Sequence, residues 1–247
     1  MSGSAPDISA IINLHGEGRL LVPSMRSMIA AKADAERHGL CIELLAVLDT
    51  PTRITVEVLG DHKPETTRVV EVALRDLGKS RNAGIQAAQG KWIAFLDGDD
   101  LWSENWLSAA HAYAATRPPK TIYHPQASLY FGAAEKLFMH VDMDDQDFDP
   151  LNLSMANYWT SLSFANRQTY LAVPYPATNF ERQIGYEDWG WNLETIAKGY
   201  RHKCVPDTTH AVRSRETSLN RQAARARVLP PPTTLFKDIL VARMSAQ

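Results

Sequence analysis

The first half of the chain alternates short, largely apolar runs with segments of helical character, and this alternation restricts the fold more than any other feature. The apolar runs lie at residues 8–14, 41–48, 68–74 and 92–96. The segments that read as helices lie at residues 20–38, 78–89 and 103–115. Strands that alternate with helices across short connections form βαβ units. The sequence therefore predicts an α/β fold with a Rossmann-like, mostly parallel central sheet flanked by helices.

Two local assignments of secondary structure can be tested against the structure. Residues 52–59 are rich in β-branched side chains, which favours a strand, whereas their place between two strands favours a helix. Ser103 precedes an amphipathic segment and is a residue type that caps helices well. We therefore expect Ser103 to be the N-cap of the helix that runs to Ala115.

The second half of the chain is less regular. Strands are predicted at residues 121–130, 136–141 and 157–164, an extended segment at 208–215, and a helix at 187–198. Three prolines at 230–232 form a stiff spacer before a last short helix near 235–244. We expect one domain over residues 1–247, with halves at about 1–117 and 118–229 and a C-terminal helical tail at 230–247.

Composition excludes several classes of protein. The chain has 26 Lys and Arg against 28 Asp and Glu, a formal net charge of -2. A balance this close to neutral argues against a nucleic-acid partner and against a polybasic membrane surface. A membrane span of ~18–20 apolar residues and a signal-peptide pattern are absent, and two cysteines are too few for a disulfide framework. We expect a soluble, cytoplasmic protein and leave peripheral membrane association open.

The strongest local signal is the sequence FLDGDDLW at residues 95–102, in which a buried strand runs into three carboxylates. In open α/β sheets, ligands bind beyond the carboxyl ends of the strands. Clustered carboxylates repel one another unless a cation neutralises them, and oxygen ligands suit Mg²⁺ or Mn²⁺ bound with substrate phosphates. The alternative is a polar turn in which Asp99 or Asp100 favours a helix N-terminus.

The surrounding segment, residues 76–100, resembles family 2 glycosyltransferases of the GT-A fold. Their pattern there is a G-x-S-x-x-R-N-x-G-like loop, followed by a glycine, an aromatic residue and F-L-D-x-D-D. The matching residues are Gly78, Ser80, Arg81, Asn82, Gly84, Gly90, Trp92, Asp97, Asp99 and Asp100. The resemblance implies a GT-A fold with a smaller, mixed sheet on the acceptor side. It also implies inverting transfer from a nucleotide-diphospho-sugar, with a UDP-sugar favoured, to a glycan or lipid-linked acceptor, as in polysaccharide biosynthesis.

The resemblance also implies roles for individual residues. Asp49 would face the nucleobase, and Arg81 and Asn82 would hold the nucleotide. The cation, Mn²⁺ or Mg²⁺, would be bound by Asp99, with Asp97 sharing the metal or touching the ribose. Three further candidates lie in the extended segment at 208–215: His210 as a metal ligand or diphosphate contact, and Arg213 and Arg215 as cations for the leaving diphosphate. Asp49 as a turn cap, His210 as an ordinary histidine and the arginines as solvated ion pairs remain alternatives.

A second motif, GYEDWGWN at residues 185–192, begins the later helix. The family has a Glu-Asp pair at about this place, and Asp188 matches the aspartate that serves as general base. Transfer to a hydroxyl needs a carboxylate that accepts the acceptor proton. The alternative is that Glu187 and Asp188 only favour the helix start. Trp189 belongs to the apolar stripe of the helix and is expected in the core. Trp191 lies off that stripe and either stacks on a sugar or packs internally.

Two other functions stay open at this point. A nucleotidyltransferase can share the sheet and the acidic turn, although the loop after the first strand, LHGEGRLL, matches its glycine-rich loop poorly. An inactive carbohydrate-binding module on the same fold is the third reading, and intact Asp97, Asp99 and Asp188 argue against it.

Overall fold

The computed structural model of the protein describes residues 5–245. Its strands are β1 (Ile8–Leu14), β2 (Ile42–Asp49), β3 (Arg68–Val72), β4 (Trp92–Asp97), β5 (Leu101–Trp102), β6 (Thr121–Gly132), β7 (Lys136–Met139), β8 (Phe164–Asn166) and β9 (Arg201–Ser214). Its α-helices are α1 (Leu21–Arg37), α2 (Arg53–His62), α3 (Leu77–Ala87), α4 (Trp106–Ala114), α5 (Arg167–Ala172), α6 (Glu187–Ala197), α7 (Leu219–Arg225) and α8 (Leu235–Ser245). The ends of the expected domain, residues 1–4 and 246–247, lie outside the described residues.

The parallel half of the sheet is centred on β1, which pairs in parallel with β2 and β4, while β3 pairs with β2. Every residue of β1 and β2 is buried, which explains why both strands are largely apolar. Helices α1 and α4 pack on one face through Met25, Met28 and Leu107. Helices α3 and α6 pack on the other face through Ile85 and Trp191. The predicted mostly parallel sheet with flanking helices is confirmed.

The mixed half of the sheet is continuous with the parallel half. Strand β8 pairs antiparallel with both β4 and β6, so it joins the two. Strand β9 then pairs in parallel with β6 and antiparallel with β5, and β7 pairs with β6. The order is β3-β2-β1-β4-β8-β6-β9-β5. The smaller mixed sheet that the sequence predicts is therefore an extension of the central one.

Residues 53–59 form the first part of α2, and Thr52 precedes the helix as its N-cap. The Thr52 side chain caps this helix by accepting a hydrogen bond from the backbone N–H of Thr55, 3.3 Å away. Thr55 and Leu59 are its buried residues. The place between two parallel strands therefore outweighs the β-branched composition.

Two other expectations differ from the structure. Helix α4 begins at Trp106, not after Ser103, whose hydroxyl instead accepts a hydrogen bond from the backbone N–H of Thr209. Of the strand predicted at 157–164, only Phe164 is in a strand, β8. Residues 157–163 form an irregular segment whose side chains bond to other elements, as Trp159 Nε1 does to the carbonyl of Val141, 2.8 Å away. No helix within residues 5–245 is long and apolar enough to cross a bilayer.

Four histidines, His124, His140, His202 and His210, lie buried close together in the mixed half. Nε2 of His124 lies 2.8 Å from Nδ1 of His202, and Nδ1 of His140 lies 2.9 Å from the carbonyl of Pro125. Burial lowers the pKa of all four imidazoles, to about 4 for His140 and about 3 for His202. These rings are therefore neutral in the folded protein at neutral pH.

We expect the stability of the fold to fall as the pH drops below about 6.5, the pKa of a histidine in the unfolded chain. Because the folded pKa values are lower, the unfolded state takes up protons first. The contribution is complete above that pH and is lost as the pH falls towards the folded values. Thermal unfolding of the wild type and of His140→Gln between pH 7.5 and 4.5 measures it. The variant should lose less stability over this range, and equal losses would contradict the assignment.

Candidate active site

The carboxyl ends of β1, β2 and β4 open into a cavity of about 1340 Å³. The starts of α3 and α6 line it as well, and residues 212–215 and 217–223 border its side. Loops diverge at this edge of a parallel sheet and leave room for a ligand. The cavity is therefore the candidate site.

The acidic turn after β4 lies at this cavity and includes Asp97, Asp99 and Asp100. A hydrogen bond from the backbone N–H of Asp100 to the carbonyl of Asp97 closes the turn at 3.0 Å. Glycine at position 98 suits this close approach, because a Cβ there would lie 2.5 Å from Cδ2 of Leu14 and 3.1 Å from the carbonyl oxygen of Asn13. The structure thus brings the three predicted carboxylates together at one strand end.

The carboxylates of the turn are crowded enough to disfavour their full ionisation. Burial raises the pKa of Asp99 to about 6, while the charge of Arg215 opposes this rise and that of Asp97 adds to it. Burial also raises the pKa of Asp100 well above its usual range, and the charges of Asp97 and Asp99 add to the rise. Added positive charge would stabilise the ionised form of these carboxylates.

Arg213 and Arg215, at the end of β9 and just after it, supply positive charge to the turn. The backbone N–H of Arg213 donates to the Asp100 carboxylate at 2.7 Å, and its Nε donates to the Asp99 carbonyl at 3.2 Å. Nε of Arg215 lies 2.8 Å from Oδ2 of Asp99. Both predicted cations therefore border the acidic turn.

Asp188 reaches the same cavity from the other half of the chain, on the first turn of α6. Tyr186, just before the helix, has a left-handed backbone (φ 55°, ψ 62°). This conformation is costly for a residue other than glycine and concentrates at functional sites. Glu187 and Asp188 both line the cavity, with Glu187 buried and Asp188 half-buried.

The pKa values of Asp188 and of Tyr130, on the other side of the cavity, are both shifted by nearby charges. Burial raises the pKa of Asp188, and the charge of Arg81 opposes the rise. Burial likewise raises the pKa of Tyr130 to about 12, with the charges of Asp100 and Asp188 adding to it. Tyr130, on β6, is thus close enough to both the acidic turn and Asp188 to feel the two charges, so the cavity joins the two predicted motifs.

Asp49 and Asn82 hold parts of the backbone in place. The Asp49 carboxylate accepts hydrogen bonds from the backbone N–H groups of Leu74 and Arg75, at 2.7 and 2.9 Å, and from the Ser80 hydroxyl. Burial would raise the pKa of Asp49, but these bonds outweigh it and lower the pKa. Asp49 still lines the cavity. Asn82 does not, because its amide donates to and accepts from the backbone of Tyr175, both at 2.9 Å.

His210 is not brought to the acidic turn. Its ring is fully buried and lies edge-on to Trp106, with 4.7 Å between centroids. Neither ring nitrogen has a hydrogen-bond partner among the described residues. A ring enclosed by tryptophan in the core does not reach a cation at Asp99, so His210 is not among the ligands proposed below.

The structure decides between the alternatives for Trp191 and places Trp189 nearer the surface than expected. Trp191 is 1% exposed and stacks on Tyr170 and Tyr175, at centroid distances of 5.0 and 4.9 Å. Trp189 is only partly buried and lines the cavity beside Tyr186. Trp191 is therefore packed internally, and of the two α6 tryptophans it is Trp189 that borders the site.

The residues present fit a divalent cation that also binds substrate oxygens. Within residues 5–245, no three or more His, Cys, Asp or Glu side chains form a group that could hold a metal by itself. Asp97 and Asp99 nevertheless offer oxygen ligands at one cavity edge. Mg²⁺ and Mn²⁺ are commonly held by one or two carboxylates together with water and phosphate oxygens. The incomplete protein ligand set is consistent with that mode.

Several residues of the site carry no motif that the sequence could reveal. Ser161 donates to Oδ2 of Asp97 at 3.0 Å, although it lies 64 residues further along the chain. Tyr130 likewise lines the site from β6, and no pattern in the sequence marks it.

Comparison with known proteins agrees with this geometry. The model of the family described as glycosyl transferase family 2 matches residues 9–162, more than half of the chain. The succinoglycan biosynthesis protein ExoO of Rhizobium meliloti (strain 1021) is 29% identical over 96 residues, 38% of this chain and 26% of that protein. An uncharacterized glycosyltransferase of Nostoc sp. (strain PCC 7120) is 32% identical over 103 residues, 40% of this chain and 30% of that protein. The chain thus matches less than a third of the length of these two relatives.

Solved structures show the same fold. Mannosyltransferase PcManGT from Pyrobaculum calidifontis, in complex with GDP-Man and Mn²⁺, superposes with a TM-score of 0.61 at 16% identity, over 97% of this chain and 69% of that one. Residues 1–349 of TarS from S. aureus, in complex with UDP, superpose with a TM-score of 0.56 at 15% identity, over 90% and 64%. The predicted GT-A fold is confirmed, and the chain belongs to glycosyl transferase family 2.

Proposed function

We propose that this chain is an inverting, metal-dependent glycosyltransferase that moves a sugar from a nucleotide-diphospho-sugar to a hydroxyl of a glycan or a lipid-linked acceptor. One observation carries the proposal: the acidic turn of β4 and Asp188 of α6 line one cavity from two halves of the chain. That arrangement supplies a donor site and a proton acceptor on either side of a reacting sugar. We take residues 1–247 as a single catalytic domain.

The donor would lie along the carboxyl ends of the strands. Asp99 and Asp97 would hold Mn²⁺ or Mg²⁺, which supplies charge stabilisation to the diphosphate when bound. Arg213 and Arg215 would add further positive charge beside the departing phosphates. Asp49 borders the cavity at the end of β2, where it would face the nucleobase.

The acceptor would approach Asp188. Its carboxylate would accept the proton of the acceptor hydroxyl as the new glycosidic bond forms on the face opposite the departing diphosphate. Burial raises the pKa of this carboxyl, which makes it a stronger base than an exposed aspartate.

A thermal-shift screen tests the donor proposal. The ligands are UDP, GDP, UDP-GlcNAc and GDP-mannose, each with Mn²⁺ and with EDTA, because a ligand that binds the folded state raises the unfolding midpoint. The expected result is a shift that needs the metal, followed by release of nucleoside diphosphate in the presence of an acceptor. Pyrophosphate as the product would indicate a nucleotidyltransferase, and binding without turnover would indicate an inactive binding module.

Two tryptophans of one helix test where the acceptor binds. Trp189→Leu should raise KM for a sugar acceptor by ~10-fold, since an aromatic ring that stacks on a bound group contributes ~0.5–1.5 kcal/mol beyond its buried area. The donor dissociation constant should stay within about 3-fold. Trp191→Phe, in the core, is the matched control and should lower the unfolding midpoint without raising this KM. Equal KM values for Trp189→Leu and the wild type would exclude Trp189 from the acceptor site.

A further inference from the structure

Arg81 is fully buried and lies between two carboxylates of different motifs. Its Nη1 donates to Oε1 of Glu187 at 2.7 Å, and its Nη2 donates to Oδ1 and Oδ2 of Asp97 at 3.0 and 3.2 Å. The Tyr175 ring lies against it, with 5.3 Å between Cζ and the ring centroid. The side chain is 0% exposed and borders the candidate cavity from beneath its surface, and both terminal nitrogens of the guanidinium are already bonded to carboxylates.

The two partners of Arg81 carry the two halves of the site. Asp97 ends β4 and belongs to the acidic turn, whereas Glu187 begins α6 and precedes Asp188. Glu187 lies 106 residues after Arg81 in the chain. The guanidinium therefore links the proposed donor site directly to the helix that carries the proposed base.

Close packing around the link leaves little freedom for α6. A Cβ at Gly78 would lie 2.3 Å from the carbonyl oxygen of Pro176 and 3.3 Å from Cβ of Glu187. A Cβ at Gly190 would lie 2.5 Å from Cδ of Pro231. Helix α3, the loop at Pro176 and the first turns of α6 thus touch with clearance for glycine only.

We infer that Arg81 is a positioning residue: it clamps the first turn of α6 to the end of β4 and so fixes the proposed base Asp188 relative to the donor site. The inference rests on the proposed function for the role of Asp188, and it replaces the nucleotide contact that the sequence predicts for Arg81. A planar guanidinium donates to two carboxylates in fixed directions, which an ammonium group does not do. A contribution to folding stability does not by itself account for the group of Arg81, Asp97 and Glu187, because buried ion pairs stabilise a fold little compared with apolar packing.

The first experiment reads the position of α6 and needs no substrate. The six tryptophans are labelled as 5-fluorotryptophan, and the ¹⁹F resonances of Trp189 and Trp191 are assigned with Trp189→Phe and Trp191→Phe. In Arg81→Gln, both α6 resonances should shift or broaden relative to the wild type. Glu43→Gln is the matched control, since Glu43 is 8% exposed and paired with Arg68 near the amino end of β2. It should leave both resonances in place. Unchanged resonances in Arg81→Gln would overturn the clamp.

The second experiment separates positioning from donor binding. Calorimetry with UDP and GDP in Mn²⁺ gives the donor affinity, and release of nucleoside diphosphate from UDP-GlcNAc or GDP-mannose gives the rate. Arg81→Gln should release product ~10²-fold more slowly, the cost of a misplacement of about 1 Å, with nucleotide affinity within about 5-fold of the wild type. Arg81→Lys keeps the positive charge but not the planar group that donates to both carboxylates, and it should give an intermediate rate. A variant that loses nucleotide affinity by more than its rate would place Arg81 in the donor site instead.

A milder variant covers the case in which Arg81→Gln does not fold. Glu187→Gln keeps the shape of the side chain and one hydrogen bond to Arg81 but removes the charge. Product release should therefore slow by only ~10-fold, and the two α6 ¹⁹F resonances should shift less than in Arg81→Gln. Wild-type rates in Glu187→Gln and Arg81→Lys together would overturn the inference. If the wild type releases no nucleoside diphosphate from either donor, the proposed function fails while the ¹⁹F spectra still decide whether Arg81 holds α6.

Discussion

Asp188→Asn should lower the rate of sugar transfer by ~10²–10⁴-fold, the range typical for loss of a general base. The asparagine keeps the shape and the packing of the half-buried side chain but does not accept the acceptor proton. Donor affinity should stay within about 3-fold, because the proposed donor contacts lie on β2, β4 and β9. The paired measurement is nucleotide affinity by calorimetry and transfer rate with an acceptor.

A matched control on the same helix separates charge from helix stability. Glu194 forms an exposed pair with Lys198, at 3.1 Å, on the later turns of α6. Glu194→Gln should leave transfer near the wild-type rate, because exposed pairs contribute little. Near-wild-type turnover in Asp188→Asn would make Glu187 the next candidate for the base. Loss of donor affinity together with turnover would mean that the Glu-Asp pair holds the helix and does no chemistry.

The strands of the parallel half could be predicted from the sequence because they are buried on both faces. β1 and β2 are buried along their whole length and mostly apolar, so each reads as a strand without knowledge of its neighbours. The α2 segment could not be decided in the same way. Its β-branched residues satisfy a strand as well as a helix, and only the crossover between parallel strands excludes the strand.

The acidic turn and the Glu-Asp pair could be predicted because each is a local motif. The side-chain bonds that connect the two motifs could not be predicted. Arg81 bonds to Glu187 across 106 residues, and Asn82 bonds to the Tyr175 backbone across 93. A loop motif predicted nucleotide contacts for both side chains, whereas the fold uses them to hold the second half of the chain against the first.

The tryptophans of α6 show where a helical periodicity misleads. The apolar stripe through Trp189 predicts one buried face, but α6 is covered on two sides. Trp191 packs with Tyr170 and Tyr175 on the sheet side, and Trp189 packs near Leu153 on the other. A single sequence does not show that a second layer, which includes α8, covers the far side of the helix.

Asp99→Ala should abolish the metal dependence of nucleoside diphosphate binding. In the wild type we expect UDP or GDP to bind at least ~10–100-fold more tightly in Mn²⁺ than in EDTA, the range by which even outer contacts tune metal affinity. The variant loses a carboxylate that lies at the cavity edge, so its affinities in the two buffers should converge. Calorimetry in both buffers measures this. Asp147→Ala, in the exposed acidic loop after β7, is the control and should bind as the wild type does.

In Asp99→Ala, both the affinity in Mn²⁺ and the affinity in EDTA should change, because in the wild type the Asp99 carboxylate neutralises Arg215. Nε of Arg215 lies 2.8 Å from the Asp99 carboxylate, and removal of that carboxylate leaves the guanidinium free to meet a diphosphate directly. Affinity in Mn²⁺ should therefore fall while affinity in EDTA rises slightly. Asp99→Ala/Arg215→Gln should lose the second effect and keep the first. Equal affinities of the wild type in Mn²⁺ and EDTA would remove the metal from the proposal. A metal dependence that persists in Asp99→Ala would assign the cation to Asp97 instead.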